Sequence, residues 1–244
     1  MRWTIENLRA TARGLGYEIR RTNFYTRPDQ RLQAQLAHHR VDVVLDVGAH
    51  DGTYGHSLLT GGFNGTVISF EAQPSVYEKL VRKSAPFGDR WIVAPRSAIG
   101  DAAETVRFYV TAASASSSTM LPQNAAGSLS DLLEVKEVID VGSCRLDAID
   151  LLLRFRGKRL FAKIDVQGAE DKVIRGASGI MDDICGMTVE MSQTSYYSGA
   201  VLASELDAGL TKIGFQLWDI EPVLRESETG RLEQYDATYF RSIK

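Results

Sequence analysis

Four acids, Asp46, Glu71, Asp165 and Glu190, each close an apolar run: Val41-Asp-Val-Val-Leu-Asp46, Thr66-Val-Ile-Ser-Phe-Glu71, Arg159-Leu-Phe-Ala-Lys-Ile-Asp165 and Cys185-Gly-Met-Thr-Val-Glu190. Carboxylates accept hydrogen bonds, face cations and take up protons. The first run leads into a turn spaced Asp46-x-Gly48-x-His50-x-Gly52. Gly48 lets the backbone pass close to a ligand, and Gly52 can supply a positive φ or a close helix–strand contact. The turn lacks the G-x-G-x-x-G of a dinucleotide phosphate loop. An acid at the strand end is a poor neighbour for a pyrophosphate and suits a ligand with a cationic amino group. Glu71 follows Gly52 by 19 residues, at the end of the second run, where an acid commonly accepts hydrogen bonds from ribose hydroxyls.

These acids share one site only if the runs are parallel strands, because open α/β sheets bind ligands beyond the carboxyl ends of their strands. The composition of the first run supports this. Five of the seven residues from Val41 to Val47 are apolar and four are β-branched, the pattern of a strand buried on both faces. A helix is expected from Thr53, closed by Gly61-Gly62 and Asn64-Gly65. Pro74 opens another through about Ser84, at a position where its missing N–H costs nothing. Trp91–Ala94 reads as a short strand, Ser97–Asp101 as a turn and Thr105–Val110 as a strand. Residues 111–130 form a loop rich in Ala and Ser, with Pro122, Asn124 and Gly127 opposing regular structure. Its length makes it a lid over an acceptor or a plain surface loop. Val135–Leu146 is expected as one strand or two, and Asp147 as the N-cap of a helix through Phe155. A helix beginning at Gly168-Ala-Glu170 runs to Gly176, and Glu170 inside its first turn suits the helix dipole. Val201–Lys212 is helical, and Phe215–Asp219 and Tyr235–Phe240 are strands. Ahead of all this, residues 4–16 and 29–39 read as helices, so 1–40 is a helical extension and 41–244 the main domain.

With 244 residues, 44% of them apolar, the chain can bury one sizeable core. A formal net charge of −3 gives no electrostatic case for nucleic acid or an anionic membrane as main partner. No apolar run reaches the ~18–20 residues of a membrane span. The N-terminus has no signal-peptide h-region, which makes a cytoplasmic location the expectation. Cys144 and Cys185 lie far apart in apolar runs and read as reduced thiols.

Asp46-Val-Gly-Ala-His-Asp-Gly52, Phe70-Glu-Ala-Gln-Pro74, Lys163-Ile-Asp-Val-Gln-Gly-Ala-Glu170 and Val189-Glu190 together resemble the FkbM family of S-adenosylmethionine-dependent methyltransferases. The run from Lys163 to Glu170 is the most distinctive stretch. The likeness spans about Val41 to Phe240; His50 departs from it, standing where the family usually carries Asn. The resemblance implies a Rossmann-like class I fold: a mostly parallel, seven-stranded sheet with helices on both faces, its last strand, near Ala237–Arg241, antiparallel. It implies methyl transfer to a hydroxyl oxygen of a small molecule, a sugar, glycoside or secondary metabolite, with S-adenosylhomocysteine as product. It places Asp46, Gly48, Ala49, His50, Gly52, Glu71, Ala72, Ser97, Ala98 and Asp165 at the cofactor. A donor with a sulfonium, an amino group and a ribose but no phosphate suits an acidic loop. A weakly nucleophilic hydroxyl needs a base or a metal. Asp165, His50 and Glu190 can act on it, and Asp165 with Glu190 can hold Mg²⁺ through oxygen ligands. Tyr196-Tyr197 stands where an acceptor wall would lie. An NAD-dependent sugar oxidoreductase and a non-catalytic cofactor-binding module are the competing readings.

Overall fold

The chain is described over residues 4–22, 26–123 and 128–242 of a computed structural model. Helices α1 (Ile5–Gly14) and α2 (Pro28–His38) precede β1 (Val43–Val47), α3 (Thr53–Thr60), β2 (Thr66–Phe70), α4 (Pro74–Ser84) and β3 (Trp91–Val93). Then come β4 (Ala98–Gly100), β5 (Glu104–Thr111), the short α5 (Ser128–Leu132) and β6 (Val135–Arg145). The chain continues through β7 (Leu160–Ile164), α6 (Glu170–Gly176), β8 (Ile184–Ser192), α7 (Ala203–Lys212), β9 (Phe215–Arg225) and β10 (Leu232–Arg241).

Seven strands form one sheet in the order β3-β2-β1-β7-β8-β10-β9. β10 runs antiparallel to both neighbours, while the pairs from β3 to β8 are parallel. The expected seven-stranded α/β architecture, with its last strand reversed, is what the chain adopts. Helices cover both faces. Val43, Leu45 and Val47 of β1 pack with Leu160, Ile164 and Val173 on one side. Val44 packs with Leu36, Leu58, Leu80 and Phe161 on the other. That double cover is why β1 reads as an almost unbroken apolar run. The β1 end and the β7 end adjoin where the strand order reverses, so a crevice opens beyond them.

Several local expectations are corrected. Ser97–Asp101 is not merely a turn: Ala98–Gly100 pairs with Ser143–Arg145 of β6, and β4-β6-β5 form a separate three-stranded sheet. The partner lies more than forty residues away, beyond reach of a local pattern. Asp147 caps no α-helix; residues 150–155 are a 3₁₀ helix, and the Asp147 carboxylate instead accepts from Gly179 N at 2.8 Å and pairs with Arg145 at 2.6 Å. Glu190 does not end its strand, because β8 continues to Ser192 against β10. The long loop is partly structured: Tyr109 bridges Ser118 and Pro122 bridges Tyr197. Asn124 and Gly127 lie outside the described residues. α2 is part of the main packing through buried Leu36, whereas α1 buries none of its residues.

Candidate active site

The cleft beyond β1, β2 and β7 is lined by Gly48, His50, Glu71, Ala72, Asp165 and Gln167, among others, with Ser114–Thr119 along one wall. The turn after β1 is shaped by three left-handed residues, Gly48 (φ 79°), His50 (φ 49°) and Gly52 (φ 81°). Gly48 packs flat on the carbonyl of Asp165; a Cβ there would lie 1.8 Å from that oxygen. Gly52 starts α3 and rests against Leu80 and the Trp91 ring, so it serves the turn and packing rather than the cleft wall. Ala49 is likewise buried, its N–H donating to Phe70 O at 3.0 Å.

Glu71 follows β2 directly and ties the loops together. Its Oε2 accepts from His50 N at 2.8 Å, and its Oε1 from Ala72 N at 2.9 Å and Gln73 N at 2.7 Å. Three of about four lone-pair sites are thereby used, leaving one for a ligand. Burial raises its pKa. Asp46 does not reach the cleft. It lies on the same face of β1 as Val44, fully buried, with Oδ2 accepting from Ser69 Oγ at 3.0 Å and Oδ1 without a partner. Burial pushes its pKa up to about 6.

Asp165 sits at the cleft with both oxygens engaged, Oδ2 by Lys163 Nζ at 2.8 Å and Oδ1 by Gln167 Nε2 at 2.7 Å. Burial opposes its charge, yet the Lys163 ammonium and the Gln167 amide hold its pKa below the ordinary value. The same Gln167 amide donates to Glu190 Oε2 at 2.9 Å. Glu190 is 8% exposed and stands behind Gln167 rather than in the cleft wall. Burial, then the negative charges of Asp165, Glu170 and Asp236, drive its pKa well upward. Glu170 closes the loop onto itself, accepting from Val166 N and Gly168 N at 3.1 Å; burial raises its pKa to about 7. Among the described residues, no group of three or more His, Cys, Asp or Glu side chains is placed to hold a metal ion.

His50 turns its ring into the cleft, Nε2 lying 2.9 Å from Ser114 Oγ. This contact draws the Ala/Ser-rich segment over the cleft, which is narrow at about 50 Å³. Ser97 and Ala98 line it, while Tyr197 is buried and brings its hydroxyl to 2.9 Å from Gln167 Oε1. Sequence reasoning missed Ile99, Phe108 and Gln167. Gln167 lay within a recognised motif, but nothing local signals its left-handed backbone (φ 58°) or its bridge between two acids. Phe108 arrives from the separate small sheet.

Residues 46–217 match the model of the methyltransferase FkbM domain. The chain belongs to the FkbM methyltransferase family. No curated protein sequence matches the chain. Among solved structures, the methyltransferase domain of bacterial CtHen1 is similar at 11% identity, over 91% of this chain and 100% of that one, with a TM-score of 0.50. An rRNA methylase from Streptococcus thermophilus is similar at 11% identity over 92% and 99%, with a TM-score of 0.47. At such identities the likeness to CtHen1 is one of fold.

The buried acids of the chain carry a testable signature. Asp46, Glu71, Glu170, Glu190 and Asp236 all have raised pKa values in the folded chain. Between about pH 4 and pH 7 the folded state therefore holds protons that the unfolded state has released, and stability falls as pH rises through that window. Asp165 is shifted the other way, and its contribution is lost only below its ordinary range. Urea unfolding is expected to give a stability greater at pH 5.5 than at pH 7.5 by on the order of 2 kcal/mol. A stability equal at the two values, or greater at pH 7.5, would show that these carboxylates are not buried as described.

Proposed function

We propose that this chain transfers a methyl group from S-adenosylmethionine to a hydroxyl oxygen of a small molecule. The observation that carries the reading is the donor set of the cleft: two carboxylates, one imidazole and an apolar wall, with no Lys or Arg side chain among the lining residues. A pyrophosphate would find no cation there, whereas a sulfonium and an ammonium find Asp165, held ionised. The unused lone pair of Glu71 suits a ribose hydroxyl, and Ala72, Ala98, Ile99 and Phe108 offer a flat apolar bed for an adenine. The family match supports the methyltransferase part of this reading independently.

S-Adenosylmethionine supplies a methyl group already attached to a good leaving group. The protein's tasks are then to align the acceptor and to take its proton. Asp165 is a poor base, since Lys163 favours its ionised form, and Glu190 lies behind Gln167. His50 is the remaining group, facing the cleft with Nε2 available once Ser114 moves aside. We assign it the proton-accepting role, with Asp165 fixing the cationic end of the donor.

S-Adenosylhomocysteine at 100 times its Kd is expected to stabilise the fold by about 2.7 kcal/mol, and NAD and ATP to do nothing. Thermal-shift titration reads this, and a shift with NAD alone would overturn the donor assignment. On an acceptor found by mass-detected methylation, His50→Ala is expected to lower turnover by about 10²–10⁴-fold. Unchanged turnover would return the role to Asp165.

A further inference from the structure

A second cavity, about 300 Å³, lies on the other side of the Lys163–Asp165 pair. It is enclosed by α2 and α3 above and by strands β7, β8, β10 and β9 below. Asp165 lines the cleft and Lys163 lines this cavity, so one 2.8 Å ion pair separates the two. Its size matches small-molecule sites, which begin near 300 Å³.

The charges around it do not cancel. Lys163 is answered by Asp165. Arg31 bonds to both Asp219 and Glu221 at 2.7 Å, leaving one negative charge over from the three. Asp236, from the reversed strand β10, faces the cavity, and among the described residues it has no side-chain hydrogen bond or ion pair. The Lys163 ammonium acts on it at a distance but is already bonded to Asp165, and burying a carboxylate without a bonded cation is costly unless a partner arrives. The Tyr54 hydroxyl is a second polar group left open: it is buried without a hydrogen-bond partner, on a residue that lines the same cavity. Thr188 and Thr238, 2.8 Å apart, add hydroxyls to the floor. Leu32 and Leu58 add an apolar wall. The cavity therefore carries two negative charges in excess, of which Asp236 is the one without a bonded cation, together with several neutral hydrogen-bonding groups and one greasy face.

We propose that this cavity is a ligand site separate from the cleft, and that it binds a hydroxylated, amine-bearing small molecule of amino-sugar type whose ammonium pairs with Asp236. The ring of such a molecule packs on Leu32 and Leu58, and its hydroxyls meet the threonines and Tyr54. The binding of an amine here does not rest on the methyl-transfer reading above.

The test uses the full chain and three probes, 2-amino-2-deoxyglucose, its N-acetyl derivative and glucose, followed by saturation-transfer NMR. The amine is expected to bind the wild type, and both N-acetylation and Asp236→Asn to weaken it at least tenfold. Leu32→Trp, which fills the cavity without removing a charge, is expected to abolish it. Each variant is checked for its melting shift with S-adenosylhomocysteine, which should be as in the wild type. No binding of the amine, equal binding of amine and N-acetyl forms, or retention in Asp236→Asn would overturn the proposal. Competition between the amine and S-adenosylhomocysteine would do so too, by placing the amine in the cleft. If S-adenosylhomocysteine fails to bind the wild type while the amine results hold, the donor reading fails and the amine site stands.

Discussion

Asp165→Asn is expected to raise the Kd for S-adenosylmethionine on the order of a hundredfold, and that for S-adenosylhomocysteine on the order of tenfold. Asparagine keeps the size and the acceptor for Gln167 but removes the charge. Lys163 then stays buried and cationic beside the place where the donor's positive end lies. Its ammonium is held protonated, against the cost of burial, by Asp165 and Asp46 together, so it will not readily shed the proton. A cationic sulfonium suffers from that exposed charge, and a neutral thioether largely escapes it. The separation of about 1.4 kcal/mol between the two ligands is the informative quantity, because a general loosening of the loop would weaken both equally. Removing one member of a buried pair also destabilises the fold by about 3–5 kcal/mol. The double variant Lys163→Met with Asp165→Asn should recover much of that stability and remove the discrimination against the sulfonium. Titration calorimetry with both ligands decides the matter. Equal losses for the two would mean that Asp165 shapes the loop without facing the donor's charge.

Gly48→Ala is expected to destroy donor binding and cost more than about 3 kcal/mol of stability. Two separate effects add. The backbone at Gly48 has φ 79°, where an L side chain costs about 1–2 kcal/mol. The new Cβ would also lie 1.8 Å from the Asp165 carbonyl oxygen and 2.8 Å from its carbon. Backbone atoms cannot swing aside like the end of a side chain, so the β1 and β7 loops must part. Gly209→Ala provides the contrast. Gly209 lies on α7 with open space around it, and alanine there should stabilise by about 0.5–1 kcal/mol. Urea unfolding of the two variants measures both effects. A Gly48→Ala protein that melts like the wild type and still binds S-adenosylhomocysteine would refute the packing of this turn.

Much of the scaffold was legible from local pattern. Val43–Val47 reads as a strand covered on both faces because each of its side chains is apolar or buried. Gly48 and Gly52 announce a turn that only glycine tolerates well. Pro74 marks the first turn of α4. The acids Glu71 and Asp165 lie at the cleft because each stands one residue beyond its strand, at the carboxyl edge. What local pattern could not settle is direction and depth. Asp46 looks equivalent to Asp165 in sequence, but it is still inside β1, paired across to Ser69. The two-residue alternation of a strand puts it with Val44, facing helices rather than the cleft. Glu190 was read as a strand end because the apolar run stops there; pairing with β10 carries the strand two residues further and leaves the carboxylate behind Gln167. The β4 strand, Phe108 at the cleft and Asp236 in the second cavity all arrive from distant segments. Sequence thus determined which residues could form strands, turns and carboxylate edges, since those depend on neighbours a few residues away. Tertiary structure alone decided which acids bond to Lys163, which bond to amides such as Gln167 and which bond to neither, because the group that answers a buried carboxylate comes from whichever strand or loop is packed beside it.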